Sequence, residues 1–445
     1  MTAPAVSRRD LFRNPGLIGI LAREVVSLTG SQMTWVALPW FVLTTSGSAT
    51  RMTIVLAVEA AAVALGGFAG GLATRLGARR TMLICDGVRA PLMAAIPLLH
   101  MADALSFPVL LALVAGVGVF ATPSFASKTS LLPDLVGEDE SRLGEANALL
   151  QTANRLAALL GPPIAGILIG VFGATEVLLI DAATFAVGFL ITATLVHAKG
   201  IVPEPDAPKE HAFRAVYRFL SKDPLLRPWS VVLILGDVMW LALFAALPVL
   251  VLERFGDEPE VVGFTFAGFG LGAVVGGVIA FRLVGSADRI LLASLGEIGM
   301  ALPLWLLLVH GSPVLLVVAF AVAGLANGLV NPALHTILQL RTPRALRTKV
   351  YSVVITATAV LGPVALVATG PALERFGVDS TLAVLVGIDT VLVLLFSIAG
   401  LRFRAGLRDA GNADALLAEE PGLVVDGEHE PPGPRVSASV ARGSD

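Results

Sequence analysis

The chain has 445 residues, of which 56% are hydrophobic and 15% charged, and its net charge is -3. A soluble core of this length has no use for so much apolar surface, so the chain is expected in a lipid bilayer, and the small net charge gives no sign of a nucleic-acid partner. Six scattered histidines and a single cysteine, Cys85, offer no metal cluster and no internal disulfide. There is no Gly-x-x-x-x-Gly-Lys-Ser/Thr phosphate loop and nothing sets a nucleophile beside a base, so neither an enzyme nor a metal or cofactor is expected.

A membrane span takes about 20 mostly apolar residues. Such runs lie near 16–44, 52–74, 81–100, 105–128, 146–171, 175–197, 229–252, 260–281, 289–309, 313–335, 349–370 and 380–401. Six fall in each half. This predicts an all-α membrane protein with one six-helix bundle over 16–197 and a second over 229–402, preceded by a lead (1–15), joined by a linker (198–228) and followed by a tail (403–445). With both termini cytoplasmic, the inner segments hold about 23 basic residues and the outer loops about three, so both termini are expected inside. No small-residue cleavage site follows the first run, which reads as a retained helix.

In the first run Glu24, Ser27, Ser31 and Thr34 recur at helical spacing, a polar stripe that should face a cavity. Arg23 beside it is near enough to one end to snorkel. Glu59 lies near the middle of the second run, where a bare carboxylate costs at least ~2.5 kcal/mol, and is a functional candidate; Glu24 is either another or a structural partner near the interface. Asp86 and Arg89 in the third run, spaced i, i+3, read first as a mutually neutralising pair and second as a relay. The fourth run carries Pro123. In the fifth, Asn147, Gln151, Asn154 and Arg155 share a face expected to point inward, and 161–166 (Gly-Pro-Pro-Ile-Ala-Gly) removes backbone donors and permits a kink and close packing. Asp181 in the sixth run is a further acidic candidate. The linker holds an amphipathic segment, 210–222, expected on the membrane surface.

The second half repeats the first. Pro332 answers Pro123, Pro343 answers Pro133, Gly362-Pro363 answers Gly161-Pro162, and Phe376-Gly377 answers Phe172-Gly173. Gly236-Asp237-Val238-Met239 matches Gly30-Ser31-Gln32-Met33, which sets Asp237 at the place of Ser31 and makes it the leading acidic candidate. Leu247-Pro248 matches Leu38-Pro39. The ninth run carries Glu297, Asp389 in the twelfth reads as a partner for nearby hydroxyls, Asn327 and Asn331 form a polar face in the tenth run, and Trp35, Phe41, Trp240 and Phe244 are candidates for apolar contact or else packing and interface residues. In a membrane protein, an internal repeat suggests a transporter of two halves with its site between them. Residues 409–445, rich in Gly, Pro, Ala and acid, read as disordered.

Residues 70–80, Gly-Gly-Leu-Ala-Thr-Arg-Leu-Gly-Ala-Arg-Arg, resemble the signature loop of the major facilitator superfamily, Gly-x-x-x-Asp-Arg-x-Gly-Arg-Arg. Gly70, Arg75, Gly77, Arg79 and Arg80 match, while Thr74 stands for the aspartate and Ala78 for an arginine. Gly161, Pro162 and Gly166 are similar to the antiporter motif of that family's exporters. With Pro123, Leu132-Pro133 and 146–149 they look most like its twelve-span branch of macrolide, multidrug and enterobactin exporters.

The resemblance implies two six-helix bundles rocking about a midplane cavity lined by the first, fourth, fifth, seventh, tenth and eleventh helices, with the loop gating the inward-closed state. It also implies proton-coupled export of lipophilic small molecules or drugs across the inner (plasma) membrane, and a monomer is expected. A dedicated exporter of one endogenous product, such as a siderophore or self-made antibiotic, is the alternative; a membrane sensor or scaffold that moves nothing is a third reading. A carboxyl group in a low-dielectric cavity favours its protonated form, so it can load a proton on one side and release it on the other. Glu24, Glu59 and Asp237, then Asp86 and Asp181, are the coupling candidates. Ser27, Ser31, Thr34, Trp35, Phe41, Asn147, Gln151, Arg155, Trp240, Phe244, Asn327 and Asn331 are the expected cavity lining.

Overall fold

The computed structural model describes residues 14–67, 76–137, 139–197, 212–283, 288–343 and 346–409. Helices α1 (Pro15–Ser46), α2 (Ala49–Gly66), α3 (Ala78–Met101), α4 (Phe107–Val136, interrupted at Phe120), α5 (Glu140–Phe172) and α6 (Ala174–Leu195) form one set. A short α7 (Ala212–Lys222) leads to the second: α8 (Leu226–Phe255), α9 (Pro259–Leu283), α10 (Arg289–Leu308, ending in a 3-10 turn), α11 (Pro313–Arg341), α12 (Arg347–Phe376) and α13 (Val378–Asp409). Among the described residues, 11 helices are long and apolar enough to cross a bilayer. The long helix outside that count is α1, whose 32 residues would span but carry Arg23, Glu24 and the polar stripe. What dilutes its hydropathy is what the site uses.

The helix ends show the repeat in three dimensions. Asn14 caps α1, its Oδ1 accepting from the N–H groups of Gly16 (2.9 Å) and Leu17 (3.2 Å), and Pro15 fills the first turn, where no N–H is needed. Asp223 caps α8 in the same way, from Leu225 (2.9 Å) and Leu226 (2.8 Å). Each cap also ties to the fourth helix of its set: Asn14 Nδ2 donates to the Leu135 carbonyl at 2.6 Å, and Arg341 donates to Asp223 at 2.8 and 3.1 Å. Third and sixth helices are clipped likewise. Arg79 donates to the Val196 and Ala193 carbonyls (2.5 and 2.9 Å) at the orphaned end of α6, while Arg404 of α13 pairs with Asp288, the N-cap of α10. At the opposite end, Gly173 and Gly377 close α5 and α12 at φ 102° and 78°, a backbone only glycine adopts freely.

At the end far from residues 14 and 409, a single apolar core runs through both sets, taking in Val36, Phe41 and Met52 with Leu247, Phe320 and Val386. At the near end the cores are separate: Leu17, Met82 and Leu131 pack in the first set, Trp229, Ile290 and Phe396 in the second. The two sets are therefore joined at the far end and parted at the near one. Contact between them is carried mainly by α5 against α9 and α2 against α12. Both crossings need glycine, because a Cβ at Gly263 would lie 2.5 Å from the Pro162 carbonyl oxygen and one at Gly370 2.6 Å from Thr50 Cα.

Helix α7 departs from the surface-lying expectation. Its apolar residues Val216 and Phe219 are buried against Leu226 and Val350, so the amphipathic face is spent on the near end of the second set, leaving Tyr217 exposed.

Candidate functional site

Where the sets meet below the shared core, α1, α2, α8, α9 and α12 enclose an apical cavity of about 250 Å³. Its wall is apolar and aromatic, with Trp35, Phe244 and Phe266, and Glu59 is its one charged side chain. The matched prolines Pro39 and Pro248 both line it, inside helices α1 and α8, so the repeat places a symmetric pair of helix-breaking residues at the apex. Glu59 accepts no hydrogen bond from the described residues, and Arg89 and Asp181 are its charged neighbours.

Val63 separates this space from a second cavity of about 420 Å³ walled by α1 to α4. Here the first-set charges gather. Arg23 is 5% exposed and grips Asp86 with two bonds, Nε to Oδ2 at 3.0 Å and Nη2 to Oδ1 at 2.7 Å; it also reaches Glu24 at 3.2 Å and Ser124 Oγ at 2.9 Å. Lys128 of α4 is buried and pairs with Glu24 through its other oxygen. Two cations and two carboxylates thus close on one another. Such a cluster is tolerated in low dielectric only while every member keeps its partners.

This overturns two expectations. Arg23 does not snorkel, and Asp86 pairs with Arg23, whose guanidinium binds both carboxylate oxygens across the helix contact, rather than with Arg89 on its own helix. Arg89 instead lies over the Phe185 ring at 4.0 Å. The polar stripe of α1 also divides: Glu24, Ser27 and Ser31 line the charged cavity, whereas Thr34 turns to α6 and donates to Asp181 Oδ2 at 2.6 Å. Lys128 and Ser124 were not singled out in the sequence. The signal available was a lysine ending an apolar run five residues beyond Pro123.

Among the expected lining residues, Trp35 and Phe244 face the apical cavity. Phe41 does not: it is 2% exposed in the shared core, edge-on to His100. Trp240 stacks among Phe244, Phe269 and Phe320 and lines neither cavity. Asn147, Gln151 and Arg155 are exposed and line neither; Asn147 donates to the Leu143 carbonyl of its own helix. Asn331 donates to Asn327 and Asn327 to Met300 Sδ, so this face is turned toward α10 rather than the cavities. Asp237 is exposed beside Thr358 of α12, and Glu297 and Asp389 are buried within the second set. Of the signature loop, Gly70 and Arg75 lie outside the described residues, Gly77 starts α3 at φ 81°, Arg79 holds α6, and Arg80 is exposed.

The sequence profile of the Major Facilitator Superfamily matches residues 24–366 and 240–420. The chain belongs to the Major Facilitator Superfamily. Its relatives include the multidrug efflux pump Tap of Mycolicibacterium fortuitum, 26% identical over 380 residues (83% of this chain, 91% of that protein). The enterobactin exporter EntS of Shigella boydii serotype 18 is 24% identical over 343 residues (76% and 80%). Among solved structures, the nucleoside transporter NupG superposes with a TM-score of 0.67 at 14% identity (86% and 98%). A bacterial homologue of the human lysosomal transporter Spinster, in an inward-facing and unoccupied conformation, does so with 0.67 at 14% (90% and 99%).

Within this major facilitator fold the Gly161, Pro162 and Gly166 motif sits where three helices cross. A Cβ at Gly161 would meet Gln32 Cβ of α1 at 2.5 Å, and one at Gly166 would meet Glu260 Cα of α9 at 2.8 Å. The motif is thus part of the contact that joins the two sets.

Proposed function

We propose that this chain is an efflux transporter that moves lipophilic small molecules out of the cell by alternating access, driven by proton antiport. The apical cavity carries the reading: an apolar, aromatic space between the two helix sets with one carboxylate, Glu59, in its wall. The export function of Tap and EntS supports the direction. The excess of basic residues in the loops shared with the termini supports a cytoplasmic place for the parted end, and in that orientation the cavity receives its load from inside the cell or the inner leaflet.

Glu59 is the favoured proton carrier. Glu24 is held by Lys128 and Arg23, and Asp86 by Arg23, so neither is at liberty to exchange a proton without breaking a buried pair. A substrate entering beside Glu59 displaces its proton, and reprotonation from outside clears the site. A membrane potential adds about 2.3 kcal/mol per charge per 100 mV, roughly fifty-fold in concentration.

The deciding experiment reconstitutes the protein in proteoliposomes with an imposed pH gradient and a panel of lipophilic dyes. Gradient-driven flux is expected in the wild type and its loss in Glu59→Gln, with dye still quenching Trp35. If no dye moves, the efflux reading fails; if Glu59→Gln moves dye with undiminished response to the gradient, Glu59 is not the carrier.

A further inference from the structure

The geometry points to an anion-binding subsite in the second cavity: we infer that Arg89 receives a carboxylate, sulfonate or phosphate group of the transported molecule. This rests on the efflux reading and narrows it, from lipophilic compounds in general to amphiphiles with an acidic head.

Arg89 lines the cavity of about 420 Å³ and is the one lining cation left without an ion pair among the described residues. Among the described residues it donates no hydrogen bond, and its Nε is shut away from solvent without an acceptor there. The aromatic face of Phe185 at 4.0 Å supports the guanidinium from one side and supplies no acceptor. The acids that could have paired with it are occupied. Asp86 has both oxygens on Arg23, and Asp181 has Oδ2 on Thr34 and Oδ1 on Thr184 (3.0 Å), although both lie within electrostatic range of Arg89. Glu59 belongs to the wall of the other cavity. A guanidinium carries five donors in a fork matched to two oxygens, and one held open in a cleft is arranged for an acceptor from outside.

The rest of the cavity suits such a guest. Ser27 and Ser31 bring hydroxyls to the wall, and the apolar space beyond Val63 has room for a hydrophobic body while the head rests on Arg89.

The test measures equilibrium binding of pyrenebutyrate and its neutral amide to the protein in lipid nanodiscs, by energy transfer from tryptophan, with empty discs subtracted. The carboxylate should bind at least about tenfold more tightly than the amide, as a charge-assisted bidentate contact requires. Arg89→Gln should abolish that preference and leave the amide unchanged, and Arg89→Lys should keep part of it. Should Arg89→Gln fail to fold, Ser31→Asp keeps the arginine but sets a competing carboxylate in the cavity, and it too should remove the preference. Equal binding of acid and amide by the wild type, or a preference surviving both Arg89→Gln and Ser31→Asp, overturns the proposal. No gradient enters this assay: dye flux without an acid preference sinks this inference alone, whereas an acid preference without flux of any compound leaves the subsite standing and sinks the efflux reading.

Discussion

Glu374, near the far end of α12, accepts hydrogen bonds from Ser48 Oγ at 2.6 Å and from the Thr50 amide at 2.9 Å, so one carboxylate of the second set caps the first turn of α2 in the other. It is a polar latch across the seam, at the end where the halves are closed. Removing it in Glu374→Ala should cost the closed far end about 1 kcal/mol, roughly a fivefold shift toward the state open at that side. Spin-label distances between the far ends of α2 and α12 in nanodiscs read this shift directly, and an unchanged distribution would show that the apolar core alone sets the balance.

A covalent version of the seam makes the converse prediction. A Cβ at Gly170 would lie 3.0 Å from the Glu260 carboxylate, so cysteines at these two positions, on a Cys85→Ala background, should be joined by a short bis-methanethiosulfonate cross-linker that fills the length of the lost glutamate side chain. The bond is expected to stop dye flux and reduction to restore it. Cross-linked protein that still transports would mean that this contact need not open.

The buried charge cluster predicts non-additive stability. Glu24→Gln strands Lys128 at a cost of about 3–5 kcal/mol, and Lys128→Met, which leaves Glu24 its contact with Arg23, costs less, while the double variant removes one charge of each sign and should recover most of the larger loss. Melting of the four proteins in one detergent gives the coupling energy, and simple addition of the two losses would contradict the pairing described.

Neighbouring glycines of α9 should respond in opposite ways. A Cβ at Gly276 would lie 2.0 Å from the Leu325 carbonyl oxygen of α11, so Gly276→Ala should destabilise by about 1–3 kcal/mol or more. At Gly277 nothing lies within 4 Å, and alanine there should be neutral or gain up to about 1 kcal/mol of helix propensity. Thermal denaturation separates the two.

At the near end, burial raises the Asp288 carboxyl, but the bond from Arg404 and the Leu291 and Ile290 amides outweigh it and hold it below the usual carboxylate range. A carboxyl depressed in the folded state stabilises above its unfolded value of about 3.9 and loses that contribution as pH falls through the lower folded one. Arg404→Gln should therefore narrow the stability difference between neutral pH and pH below about 4, measured by melting across that range.

The twofold plan was legible because its marks are local: prolines, glycines and apolar runs recur at matching places, and backbone geometry at Gly173 and Gly377 requires the same residue twice. The α1 stripe and the Gly161 to Gly166 contact were legible for the same reason. Partner choice was not. Asp86 has an arginine three residues away, yet the bundle brings Arg23 from 63 positions off with a better fork. Lys128, at the end of an apolar run, reads as an interfacial cation until α1 supplies Glu24. Phe41 and the Asn327–Asn331 pair carry residue types that suit a cavity, and only the direction of each helix face turns them to the core.

Among the described residues, every polar clip at the near end, Asn14 to Leu135, Arg79 to Val196, Arg341 to Asp223 and Arg404 to Asp288, fastens a helix to a sibling of its own half, and none bridges the divide. Under the alternating access proposed above, each half would travel as an undeformed slab, and the swing would leave these fasteners untouched. The resistance to turning the vessel inside out would then reside almost wholly in the greasy hinge at the opposite rim, and on that proposal the bilayer's grip on that rim, through its thickness and lateral pressure, becomes the natural throttle on turnover.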